Sequence, residues 1–100
     1  MTGLNQANDI SSGVGTVVIE LIPTEQNRKF LLIQNVSTVF IGISLHGGTP
    51  VVDVNGIGSM GTVVLGPMVG LILDSENIPG NAINAVASAG LNNPVTVIQW

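Results

Sequence analysis

One hundred residues suit a single domain with one core and leave no room for a separate catalytic lobe. Charged residues make up only 8% of the chain, against about a quarter in ordinary soluble domains, and the net charge is −4 with Arg28 and Lys29 the only cations. Such a chain offers no basic stripe to phosphates, so neither nucleic acid nor an anionic membrane is an expected partner; with no cysteine it holds no disulfide and no sulfur-ligated metal.

Valine, isoleucine and threonine supply 32 residues, which are stiff at χ1 and suit a pleated surface. Gly, Asn and Pro punctuate the chain while helix-favouring charged residues are scarce, so an all-β domain is expected. Residues 1–13 are mostly Asn, Gln, Ser and Gly and predict a flexible N-terminal arm, with the β-sandwich domain covering 14–100. Met1 to Ser12 lacks the basic and apolar regions of a secretory leader, so the mature chain is expected to start near Met1.

Val14 to Ile22 alternates as a first strand and stops at Pro23, which cannot donate to a ladder. Lys29 to Asn35 and Val39 to Leu45 follow as second and third strands, predicted to form an antiparallel hairpin through Val36-Ser37-Thr38. In the third, Val39, Ile41, Ile43 and Leu45 face inward and Phe40, Gly42 and Ser44 outward. Val51 to Val54 resumes the pattern and Asn55-Gly56 signals a tight turn. Further strands are predicted near Thr62 to Leu65, Gly70 to Leu73, Ala82 to Ala87 and Pro94 to Trp100. Seven or eight short strands with turn-like spacing suggest a single-domain antiparallel β-sandwich of jelly-roll type.

Three windows, 30–52, 54–73 and 77–100, lack Asp, Glu, Lys and Arg. None holds the roughly 18 consecutive apolar residues of a membrane-spanning helix, so none is expected.

Few residues invite chemistry. Gly56-Ile-Gly-Ser-Met-Gly61 fits the spacing of a dinucleotide-binding fingerprint, but the following Thr62 to Gly70 is β-branched and broken by Gly66, Pro67 and Gly70. Pyrophosphate binding needs a helix N-terminus there, so a glycine-rich loop between strands is expected and no cofactor. Asp53-Val-Asn55-Gly56 resembles the start of a calcium loop without its later acidic ligand, and is better explained as a turn. His46 is the only imidazole and has no second histidine for a metal site. Ser59 lacks the nucleophile elbow, and Asn35-Val-Ser37 is a glycosylation acceptor only in a secreted chain. Glu20 and Glu25 could pair for glycoside cleavage, but beside Arg28 and Lys29 a structural ion pair is the simpler role, with Arg28 joined to Glu25 or to Glu20. No catalytic set is expected, and the chain reads as a non-enzyme.

By the usual scaling a monomer of this size exposes roughly 5,400 Å², which eight charged side chains cover poorly. The chain is therefore expected to bury a face in a homo-oligomer or larger assembly. Leu4, Ile10, Val18, Phe40 and Trp100 are the candidate interface residues; for Phe40 and Trp100 the competing role is closing the ends of their own core.

Asn27-Arg-Lys-Phe-Leu-Leu-Ile-Gln-Asn-Val-Ser37, a β-run, a glycine-rich middle, Ile78-Pro-Gly-Asn-Ala-Ile-Asn-Ala85 and a final Val-Thr-Val strand together resemble small virion proteins of tailed bacteriophages. The resemblance spans about Val14 to Trp100, and the Val54 to Gly70 segment departs from it in being longer and less polar. It implies a capsid cement or decoration protein. Such a protein is made in the host cytoplasm, sits on the outer capsid surface, often as a trimer, and holds neighbouring copies of the major capsid protein together. The competing expectation is a host-recognition or carbohydrate-binding module of a tail or fibre.

Overall fold

The computed structural model describes residues 8–25, 28–74, 78 and 80–100. Among them there is no helix; nine strands form two antiparallel sheets packed face to face as a β-sandwich. One sheet, called A below, contains β1 (Asn8–Asp9), β2 (Ser12–Val14), β4 (Phe30–Asn35), β7 (Gly70–Asp74) and β9 (Asn93–Gln99). Its strand order is β1-β9-β4-β7, with β2 also on β9. Sheet B runs β3-β8-β5-β6, built from β3 (Ile19–Ile22), β8 (Ile83–Ala87), β5 (Ile41–Ser44) and β6 (Val63–Leu65).

Period-two patterning builds the core. In β4, Leu31, Ile33 and Asn35 turn inward while Phe30, Leu32 and Gln34 turn outward. Val95 and Val97 of β9 join them from sheet A, facing Ile41, Ile43, Leu65, Ile83, Ala85 and Ala87 from sheet B. These side chains are almost wholly buried, and each large one contributes about 1.5–3 kcal/mol by leaving water. The molecule exposes 5390 Å², the area expected for its mass.

Three expectations are corrected. Val14 to Ile22 is not one strand: Val14 pairs with Asn93 in sheet A, yet the carbonyl of Gly15 already accepts from Ala87 N–H in sheet B. The chain crosses between sheets at Gly15 to Val18, leaving Val17 exposed and shifting the buried phase from Val14 to Leu21; the β-branched run through the crossing reads as one strand and hides the break.

The second and third predicted strands, now β4 and β5, form no hairpin. β4 pairs with β7 and β9, and β5 with β6 and β8, so the chain at 36–40 carries it across the core. A polar turn signal marks a reversal without saying whether the next strand lies beside its predecessor or opposite to it.

The Val51 to Val54 strand shrinks to one bridge between Val52 and Gly58. Residues 45–62 instead form a flap folded over the outer surface of sheet B. Val52 and Thr62 lie against Gly42, so Gly42 and Ser44 are buried though they face away from the core. At the flap's tip Asp53 Oδ1 accepts from the N–H groups of Asn55 (2.9 Å) and Ile57 (3.0 Å), and Gly56 takes φ of +80°. The expected turn is thus present, with Gly56 alone in the left-handed region.

The arm expected over 1–13 is in part sheet: Asn8 and Asp9 pair with Gln99 and Ile98, and Ser12 to Val14 with Val95 to Asn93. Residues 1–7 lie outside the described ones.

Candidate functional site

The groups with chemical potential are spent on holding loops. Ser44 Oγ lies 2.8 Å from His46 Nδ1 and accepts from Gly48 N–H at 2.9 Å. The serine is 1% exposed, so no reactant can reach its hydroxyl. Asn84 Nδ2 holds the same loop by donating to Gly48 O at 2.7 Å. Asp53 caps the flap turn, and no group of three His, Cys, Asp or Glu able to hold a metal occurs among the described residues. The glycine-rich fingerprint lies in the flap and is followed by the β-strand Val63–Leu65, without the helix that phosphate binding needs.

Asn35 is the strongest polar tie. Fully buried, it donates through Nδ2 to Val39 O (2.7 Å), Leu65 O (3.0 Å) and Gly66 O (3.0 Å), and its Oδ1 accepts from Ser37 N (2.9 Å) and Ser37 Oγ. It thereby joins β4 of sheet A to the end of β6 in sheet B, and its occupied amide leaves no room for a glycan. No signal in Asn-Val-Ser distinguishes this role from a turn.

Arg28 is buried, and its guanidinium donates to Pro23 O (2.8 Å) and Gln99 Oε1 (3.2 Å). Burial pulls its pKa below the ordinary value, and the charge of Glu25 opposes that pull. Asp9, fully exposed, is held below the usual carboxylate range by the hydroxyl and N–H of Ser11.

Of the candidate interface residues, Leu4 lies outside the described ones. Ile10 is half-buried and packs against the core, and Val18 is exposed. Phe40 is half-buried with its ring against Gly56 and beside Gly66, pinning the flap. Trp100 is half-buried and stacks on Phe30, ring centroids 4.2 Å apart and planes 16° from parallel.

The structure brings forward a site that these residues only border, the outer face of sheet A. Register sets Ile72, Leu32 and Ile98 in one row across β7, β4 and β9, with the Phe30–Trp100 stack one step along. The acids on this face are Asp9 and Asp74 at its margins. Ile72 is 62% exposed. A second apolar group tips the flap and neighbouring turn: Val54, Ile57, Met60 and Met68 are all exposed. Met68 has φ of +66° in the Gly66 to Val69 turn, a conformation that costs a non-glycine residue about 1–2 kcal/mol. Ile72 was legible as the outward residue between inward Leu71 and Leu73; Met68 carried no signal, since Pro67 promises a turn without fixing its type.

This arrangement can bind by apolar contact and by sheet edges. Comparison with protein-family models, curated proteins and solved structures finds no match to this chain.

Proposed function

We propose that the chain is a structural protein of a bacteriophage virion, a cement protein that binds the outer capsid surface as an oligomer and stabilises neighbouring capsid subunits without turnover. The observation that carries this reading is the outer face of sheet A, where an apolar row and an aromatic stack have their acids, Asp9 and Asp74, only at the margins. Isolated monomers seldom leave such surface bare. The resemblance over 14–100 supplies the setting, and the strand order β2-β9-β4-β7 over β3-β8-β5-β6 supports the jelly-roll reading, an architecture shared by capsid and lectin domains. Its partners in this reading are copies of itself and the major capsid protein, held by many weak contacts acting together.

Electron microscopy of virions, with and without the chain, tests the proposal. Density on the outer shell, and particles that break at lower temperature without it, are the expected results. Density confined to the tail, or glycan binding by the free protein, favours the host-recognition module and overturns the cement role.

A further inference from the structure

An open strand edge is costly unless something blunts it, and this sandwich blunts three of its four. β3 carries Glu20, a register shift before Ile22 and then Pro23. β6 has only three residues. The edge formed by β1 and β2 is interrupted at Ile10 and Ser11 and carries Asp9. β7 is the least blunted: Gly70-Leu-Ile-Leu-Asp74 runs in unbroken register with β4, without proline and with its one charge, Asp74, at the last position.

The direction of its free groups follows from β4. Phe30 exchanges both backbone hydrogen bonds with Trp100, so Phe30, Leu32 and Gln34 point their amides at β9, and Leu31, Ile33 and Asn35 point theirs at β7. Asn35 N–H donating to Val69 O agrees. The partners on β7 are therefore Leu71 and Leu73, and the backbone N–H and C=O groups of Gly70, Ile72 and Asp74 point off the sheet. Among the described residues nothing pairs with them.

We infer that β7 pairs antiparallel with β7 of a second copy about a two-fold axis at Ile72. The set Gly70, Ile72, Asp74 is symmetric about its centre, so the two edges complement each other without a shift of register. Ile72 bonds to Ile72, and each Gly70 to the other copy's Asp74, which keeps the two carboxylates apart at opposite ends. The pairing also extends the outer row to Ile98, Leu32 and Ile72 followed by the second copy's Ile72, Leu32 and Ile98. It rests on the edge geometry alone and stands apart from the virion reading.

Sedimentation of the whole chain is expected to give twice the subunit mass. The subunit mass overturns the pairing, and so does the trimer that the phage resemblance implies; neither result bears on where the protein sits on a particle. Ile72→Lys, which sets two ammonium groups side by side at the axis, is expected to halve the mass with β-sheet circular dichroism unchanged, while Ile57→Lys on the exposed flap leaves the dimer intact. An unchanged mass in Ile72→Lys overturns the inference. Should that variant not fold, Ile72→Cys reports independently, since the chain has no other cysteine. Opposed residues in such a pair lie about 5.5 Å apart at Cα, within disulfide reach. Oxidation is expected to link Ile72→Cys into a dimer and to leave Ile57→Cys unlinked; no link at position 72 overturns the pairing.

Discussion

The two outer faces of this sandwich are treated in opposite ways. Over sheet B the chain spends residues 45–62 on a flap, seats Val52 and Thr62 on Gly42, and wedges the Phe40 ring against Gly56. Over sheet A no described residue plays that part: Ile72 is exposed and Leu32 and Ile98 half-buried in their row, and no described residue pairs with the outer backbone groups beside Ile72. A chain with so few charges can solubilise a face by folding a loop onto it or by lending it to another body. The flap does the first over sheet B, and the proposed pairing would do the second over sheet A, so substitutions under the flap should cost stability, while those on sheet A should cost association.

The largest effect is expected where the two halves are tied together. Asn35→Leu keeps the shape but strands the carbonyls of Val39, Leu65 and Gly66 and the N–H of Ser37, and should cost about 3–5 kcal/mol in chemical denaturation. Next comes the flap. Gly56→Ala demands a left-handed alanine and brings its Cβ to 2.7 Å from the Phe40 ring, so a loss of about 2–4 kcal/mol is expected. Ile72→Lys, on the bare side, should move monomer stability by less than about 0.5 kcal/mol. Equal losses at the two sites would erase the contrast between the faces.

At the turn into β4, Arg28→Ala should lose about 1–3 kcal/mol through its bonds to Pro23 and Gln99 and the packing of its stem. Lys29→Ala, exposed, should lose less than about 0.5 kcal/mol in the same thermal melts. The smallest effect concerns Asp9. Its folded pKa lies below the ordinary 3.8, so its contribution is present above that value and fades as pH falls through the lower folded one. Asp9→Asn should therefore lower stability slightly at neutral pH, where the contribution is present, and flatten the acid limb of stability against pH.

The six strands β4 to β9 were legible in the sequence to within a residue or two, while β1, the start of β2 and the break before β3 were not: Ile33, Ile41, Ile43, Val95 and Val97 announce their inward faces by alternation, and Gly66-Pro67 and Asn55-Gly56 announce turns. Strand partnership was not. The crossing at 36–40 preserves the period of two, the one at Gly15 to Val18 is masked by a β-branched run, and β6 and β7 face each other across the core although only four residues separate them. The flap was hidden for a related reason, since its valines carry a strand's composition while Asp53 and Gly56 bend them into a cover. The apolar surplus was visible from composition; that Leu32, Ile72 and Ile98 line up in one row on the outer face of sheet A required the register.

Amide hydrogen exchange along β7, at high and low protein concentration, tests most directly whether sheet A lends its edge to a second copy. Leu71 and Leu73, bonded to β4, should stay protected throughout, while Ile72 and Asp74 should be protected in concentrated solution and lose that protection on dilution. Fast exchange of Ile72 and Asp74 at every concentration would contradict the account.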